Sequence, residues 1–173
     1  MAIAIISVIG WHNAGKTSFL VRLIAELKRR GLRVATIKHS RDDFEIDRPG
    51  SDTWRLARAG ADVVVISGKR RMALIEHRSQ EDGELSLDEL VGRLPGDIDL
   101  VITEGYKSQP TPKILVVRSG VGEGPMPMSG ELLALVTEGD MLPQEGVPRF
   151  APEDAAGVAD LLMAKGFIEL GTE

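Results

Sequence analysis

Apolar residues run unbroken from Ala2 to Ile6 and resume after Ser7 at Val8 and Ile9, and beyond them the period of the pattern changes. Between Thr17 and Arg30, residues Phe19, Leu20, Leu23, Ile24 and Leu27 share one helical face, while Arg22, Glu26, Arg29 and Arg30 take the other. Lys28, Arg29 and Arg30 suit the negative end of that helix, and Gly31 is placed to end it. Leu32 to Ile37 then reads as a second strand, buried and parallel to the first through a βαβ crossover. After the polar segment His39 to Gly50, Ser51 or Asp52 can cap a short helix over Thr53 to Ala59, which Gly60 ends.

Asp62–Ile66 and Met72–His77 are β-rich runs joined through Ser67, Gly68, Lys69 and Arg70, a spacing that predicts a hairpin. Ser86 with Glu89 three residues later forms a capping box for a helix reaching Leu94. Asp99–Thr103, Ile114–Val117 and Leu132–Val136 have the length and composition of buried strands. The Gly120–Gly130 stretch between the last two, with Met126, Pro127 and Met128, reads as a disordered connection rather than a contact segment. A final helix is expected from Pro152 to Lys165, with the proline in its first turn. No repeat or linker interrupts this alternation. It predicts a single α/β domain over residues 1–173, a P-loop NTPase-like three-layer sandwich with a mostly parallel sheet and an added β-hairpin at 62–77.

The chemistry concentrates where the first strand meets the first helix. Gly10, Trp11, His12, Asn13, Ala14, Gly15, Lys16 and Thr17 spell G-x-x-x-x-G-K-T, followed by Ser18. Strand, glycine loop and helix together separate a phosphate-binding loop from a chance match. The loop amides and the helix N-terminus supply donors and partial positive charge to phosphate. Lys16, facing solvent until a ligand arrives, would reach the β- and γ-phosphates, and the Thr17 hydroxyl would ligate Mg²⁺.

Ligands of open parallel sheets bind at the carboxyl ends of the strands, which sorts the acids. Asp97 and Asp99 precede the Leu100–Thr103 run and Glu104 follows it. Five residues at ~3.3 Å each put Asp99 roughly 16 Å from Glu104, so Glu104 is the acid expected beside the P-loop. There it would bind Mg²⁺, directly or through water, or orient an attacking water. Otherwise it is a strand-end acid paired with Lys107 or Arg118. Lys38 ends the second strand, where it can neutralise phosphate charge or stand as a surface lysine. Asp47-Arg48-Pro49-Gly50 has the D-x-x-G form with which nucleotide switches hold Mg²⁺, and is equally a turn before a helix cap. The guanine reader N-K-x-D is absent. Thr137-Glu138-Gly139-Asp140 has its spacing, with Asp140 in the base-reading slot and Glu138 in place of the lysine. His12, His39 and His77 lack zinc-ligand spacing, and Trp11 and Trp54 read as packing residues.

A net charge of −5 argues against nucleic acid or an anionic membrane as the main partner. The longest apolar stretches are too short to span a bilayer. Cysteine is missing altogether, which removes disulfides and thiolate metal sites. With no secretory pattern before the P-loop strand, a cytoplasmic location is expected.

The combination resembles the family of the molybdopterin-guanine dinucleotide biosynthesis adapter protein, MobB. The likeness rests on the P-loop, on Lys38-His39 followed by Phe44, Asp47, Gly50 and Asp52, on Ala59-Gly60-Ala61, and on Asp99–Lys107, which is similar to the family's D-hydrophobic-E-G-[FY]-K stretch. It is vague after Arg118. The resemblance implies a GTP-binding protein with slow Mg²⁺-dependent hydrolysis, assisting the guanylyltransferase that joins GMP to molybdopterin. It implies a homodimer to which the hairpin contributes. Members often carry extra histidines after the Lys-His pair, where this chain has Ser40-Arg41-Asp42. Two other functions compete: an ATP-dependent small-molecule kinase with the Gly120–Gly130 stretch as lid, and an interaction protein with a degenerate P-loop. Intact Gly15, Lys16 and Thr17 argue against the last.

Overall fold

The computed structural model describes residues 3–40, 44–79, 82–122, 124–139 and 146–169. The elements in chain order are β1 (Ala4–Ile9), α1 (Lys16–Arg29), β2 (Val34–Lys38), α2 (Asp52–Arg58), β3 (Val63–Ser67), β4 (Met72–Glu76), α3 (Leu87–Gly92), β5 (Leu100–Glu104), β6 (Lys113–Val117), β7 (Leu132–Thr137), β8 (Arg149–Phe150) and α4 (Ala155–Ala164). They form two compact units, Met1–His39 with Leu90–Glu173, and Ser40–Glu89.

The first unit is built on a six-stranded sheet in the order β2-β5-β1-β6-β7-β8, with every pair parallel. This is the expected α/β architecture. Side chains alternate between the two faces. Ile6 and Val8 of β1, Leu100 and Ile102 of β5, and Ile114 and Val116 of β6 join Phe19, Leu23 and Leu27 of α1 and Val158 and Leu162 of α4 in the main core. Complete burial of Phe19, Leu23 and Leu27 contributes roughly 1.5–3 kcal/mol each. Arg30 locks the two helices together, donating to Asp160 at 2.6 Å and to the Ala156 carbonyl at 3.1 Å.

The opposite face is covered differently. Ile9, Leu115, Val117 and Leu135 form a second cluster against which Met126, Met128, Leu132 and Val147 pack. Residues 124–130, expected to be a disordered connection, therefore carry part of this layer. Their methionines bind them down because one face of β6 and β7 needs an apolar cover.

Two other expectations change, and one strand was not foreseen. β2 is parallel to β1 as expected, with β5 lying between them. It is an edge strand, half-buried to exposed along its length rather than buried. Pro152 precedes α4 instead of entering its first turn, and Asp154 is the cap, accepting from the Gly157 amide at 2.9 Å. β8 is too short to leave a periodic signal, and tertiary pairing with β7 creates it.

In the second unit, Ser51 caps α2 by accepting from the Trp54 amide at 3.1 Å. β3 and β4 form the antiparallel hairpin, with Val63 opposite Glu76 and Ser67 opposite Met72. His77 donates to the Asp62 carbonyl, so pairing extends to the expected limits. The Ser86–Glu89 capping box is reciprocal, with Ser86 donating to the Glu89 carboxylate and the Glu89 amide to Ser86 Oγ.

Candidate functional site

β1, fully buried at its end, delivers the P-loop from the interior of the sheet. Two glycines make the loop possible. Gly15 sits at φ +93 immediately before α1, a left-handed cap that ordinary residues rarely adopt. At Gly10 a Cβ would collide with the Val116 carbonyl oxygen of β6. The loop is thus pressed onto the sheet. Trp11 packs against Gly122, as expected, and Arg58 lies 5.6 Å over the ring of Trp54. His12, Asn13, Thr17 and Ser18 are exposed, while Ala14 is buried under the loop.

Lys16 does not face solvent. Its ammonium folds back into the loop, donating to the Gly10 carbonyl at 3.2 Å and the Trp11 carbonyl at 2.9 Å. Burial pushes its pKa below the ordinary lysine value, Glu104 opposes that shift, and nearby Lys38 adds to it.

Glu104 stands where the strand-end rule puts it. The sheet register aligns Lys38, Glu104 and Val8 across β2, β5 and β1. The Thr17 hydroxyl donates to both carboxylate oxygens of Glu104, at 3.1 and 3.0 Å. Lys38 Nζ lies 4.0 Å from the same carboxylate on a largely exposed side chain, a weak and screened attraction. Lys107 and Arg118 are not the partners of this acid. Asp99 is at the far end of β5, accepting from the Arg33 amide at 2.6 Å, and Asp97 pairs with the Arg33 guanidinium.

Past Glu104 the backbone is strained. Gly105 at φ +101 is followed by Tyr106 at φ +55, a left-handed aromatic residue costing on the order of 1–2 kcal/mol. The Gly105 amide is tied to the Val8 carbonyl at 3.0 Å, the His39 amide to the Glu104 carbonyl at 3.2 Å, and the rings of Tyr106 and His39 meet edge to face.

Asp47 belongs to the second unit, and its carboxylate builds its own turn. It accepts from the Arg48 amide and the Ser51 hydroxyl, both at 2.9 Å. Bonds from Thr53, Ser51 and the Arg48 amide, in that order of weight, hold its pKa below the usual value. Asp140 lies outside the described residues.

One constellation escaped the sequence reading. Ser7, Thr103 and Lys113 are completely buried at one height of three adjoining strands, with Thr111 beside them. The available signal was a hydroxyl residue interrupting each of two apolar strands, Ser7 and Thr103, at positions that pair only once β5 is placed beside β1.

A family model described as molybdopterin guanine dinucleotide synthesis protein B, MobB, matches residues 5–138. A molybdopterin-guanine dinucleotide biosynthesis adapter protein of Escherichia coli is 31% identical over 162 residues, 93% of this chain and 92% of that one. Its counterpart in Haemophilus influenzae is 36% identical over 137 residues, 78% and 75% of the two chains. A crystal structure of molybdopterin-guanine biosynthesis protein B superposes with a TM-score of 0.72 at 30% identity, covering 93% of this chain and 97% of the other. Bacillus subtilis MobB shares the fold, with a TM-score of 0.71 at 24% identity over 96% and 99%.

Proposed function

Because the chain belongs to the MobB family, we propose that it is an adapter in molybdopterin guanine dinucleotide biosynthesis that binds GTP with Mg²⁺ and hydrolyses it slowly, beside the guanylyltransferase that attaches GMP to molybdopterin. The observation that carries the nucleotide site is the Thr17 hydroxyl resting on the Glu104 carboxylate in front of an intact P-loop.

The donors present suit the ion. Mg²⁺ takes oxygen ligands, one or two carboxylates with substrate phosphates and waters, and Thr17 and Glu104 offer a hydroxyl and a carboxylate side by side. These two residues would hold it; when bound, the ion would neutralise charge on the phosphate oxygens. The chain's own residues do the rest. Amides of the loop and of the first turn of α1 wrap the phosphates, Lys16 exchanges two carbonyls for phosphate oxygens, and Lys38 adds positive charge at the rim. Glu104 is placed to orient a water. Among the described residues its side-chain partners are Thr17 and Lys38, neither an arginine nor a glutamine, which supports slow turnover. Asp140 is the candidate reader of the guanine edge.

The kinase alternative needs a lid. Met126 and Met128 are packed on the second apolar cluster, which favours the adapter reading. Isothermal titration with GTP and ATP, each with and without MgCl₂, tests the choice. At least a tenfold preference for GTP is expected, roughly 1.4 kcal/mol. A preference for ATP would overturn the adapter reading in favour of the kinase.

The same reading extends to assembly as a homodimer through the hairpin. Val63, Val65, Met72 and Leu74 lie on one face of β3 and β4 and are 49%, 53%, 70% and 57% exposed. A two-stranded sheet is marginal by itself, and an apolar face of this kind gains from a second copy. Sedimentation should give twice the chain mass, and Val65→Asp should give the single mass.

A further inference from the structure

The connection between β5 and β6 is short for parallel strands. Such crossovers ordinarily take a dozen or more residues and a helix. Here residues 105–112 suffice, because β6 pairs only with the upper half of β1, from Ser7 to Ile9. The crossover runs across the face of β1 that bears Ser7, and it carries backbone carbonyls inward instead of an apolar helix face. Those carbonyls need donors, since an unpaired buried acceptor is costly.

Lys113 supplies them. It is completely buried at the start of β6. Its ammonium donates to the Gln109 carbonyl at 2.7 Å, the Thr111 carbonyl at 2.7 Å and Thr111 Oγ1 at 2.6 Å. Three donors meet three acceptors, and the crossover is gathered around one cation. From Thr111 the network continues into the sheet. Thr111 Oγ1 and Ser7 Oγ share a hydrogen bond of 2.5 Å, and Thr103 donates to Ser7 Oγ at 2.8 Å. The Ser7 amide also donates to the Pro112 carbonyl at 2.9 Å. The next residue after Thr103 is Glu104, and the strained Gly105-Tyr106 turn follows it.

We propose that Lys113 is a positioning residue for the phosphate and metal end of the site: seated on the crossover, it sets where β5 delivers Glu104 before Thr17. This rests on the nucleotide reading above and goes beyond it in assigning the geometry of Glu104 to a buried cation. Two interstrand steps of ~4.8 Å put Lys113 roughly 10 Å from the β5 backbone, so it acts through Thr111, Ser7 and Thr103 and not by contact. Its charge is buried with three uncharged acceptors and no carboxylate among them, so its hold on the crossover rests on hydrogen bonds alone. The strain at Tyr106 needs such an anchor, because a left-handed aromatic residue persists only where its surroundings hold it.

The test uses the full chain, GTP and a MgCl₂ series, with Lys113→Met, Thr111→Val and Thr111→Ser. Lys113→Met keeps length and removes the donors. Thr111→Val keeps shape and cuts the link to Ser7, and Thr111→Ser restores the hydroxyl. The Mg²⁺ concentration that half-saturates GTP binding should rise about tenfold or more in Lys113→Met, the scale seen when outer partners of a metal ligand are lost. Thr111→Val should shift it in the same direction, Thr111→Ser should stay within about twofold of the parent, and GTP affinity without Mg²⁺ should change less than about threefold in all three. Backbone amide exchange at Gly105, whose bond to Val8 closes the turn after Glu104, should accelerate in Lys113→Met and Thr111→Val.

An unchanged Mg²⁺ requirement in folded Lys113→Met overturns the proposal. If that variant does not fold, the two Thr111 variants decide, and equal behaviour of Val and Ser overturns it. If the parent protein binds no GTP, the nucleotide reading has failed, and the positioning claim then stands or falls on exchange at Gly105 alone.

Discussion

Replacing Lys16 by alanine tests the phosphate site with little disturbance of the fold, and the structure sets the expected size of each effect. In the free protein the substitution removes two charge-assisted bonds, to the Gly10 and Trp11 carbonyls at 3.2 and 2.9 Å. The ammonium already bears a desolvation cost there, as its lowered pKa indicates. Gain and cost nearly cancel, so the expected loss of stability is about 0–1 kcal/mol, equivalent to roughly 0–4 °C in melting temperature at this chain length. In the proposed nucleotide complex the same ammonium would serve the β- and γ-phosphates. A charge-assisted hydrogen bond contributes ~1.5–3 kcal/mol, and two of them, less the net ~0–1 kcal/mol given up in the free protein, leave about 2–6 kcal/mol. That is a rise in Kd for GTP of roughly 30-fold at least and about 20,000-fold at most. Isothermal titration with GTP and with GMP, beside thermal melts of both proteins, reads all three quantities. GMP lacks the β- and γ-phosphates, so its affinity should not move. A GTP affinity within twofold of the parent in a folded Lys16→Ala protein would falsify the phosphate assignment.

Glu104→Gln keeps the shape that receives the Thr17 hydroxyl but removes the charge; Mg²⁺-dependent GTP turnover should fall about tenfold or more while Mg²⁺-free affinity stays within about threefold, and equal turnover would reduce Glu104 to a structural role. Gly10→Ala drives a Cβ against the Val116 carbonyl, a backbone atom with little freedom to retreat, so thermal melts should show a loss of about 2 kcal/mol, roughly 4–8 °C. An undisturbed melting temperature there would show that the loop is not pressed onto β6. Hydrogen bonds from Arg29 and Arg30 hold the Glu26 carboxyl down to about 2, below its ordinary 4.5. A depressed carboxylate pKa means a stabilisation that is complete above pH 4.5 and lost as pH falls toward 2. Urea midpoints of the parent and Glu26→Gln should therefore differ at pH 6 and converge across that window, and a difference independent of pH would contradict the assignment.

Much of the site was legible because its signals are local. The P-loop joins strand, glycines and helix within one short stretch, and Glu104 followed from the single rule that parallel strands present ligands at their carboxyl ends. The same locality explains the capping box of Ser86 and Glu89, the Ser51 cap and the hairpin, each set by residues close in sequence. Asp47 marks the limit of that approach. Its D-x-x-G form fitted both a metal ligand and a turn, and the bonds it makes to Arg48 and Ser51 are those of the turn.

Periodicity and turn chemistry in the chain itself determined the strands, the helices and the glycine loop before α1, since hydrogen-bonding and burial patterns repeat over a few residues and need no distant partner. Tertiary structure alone decided the order of strands, which inserts β5 between β1 and β2 and makes β2 an edge. It also decided that Met126 and Met128 cover a sheet face, that Lys16 rests on its own loop, and that Ser7, Thr103, Thr111 and Lys113 meet. Ser7 and Thr103 are 96 residues apart, and no local pattern encodes a contact over that distance. Their hydroxyls become partners because β5 pairs with β1 in the register that sets Thr103 opposite Ser7, and the short crossover adds Thr111 and Lys113 to them.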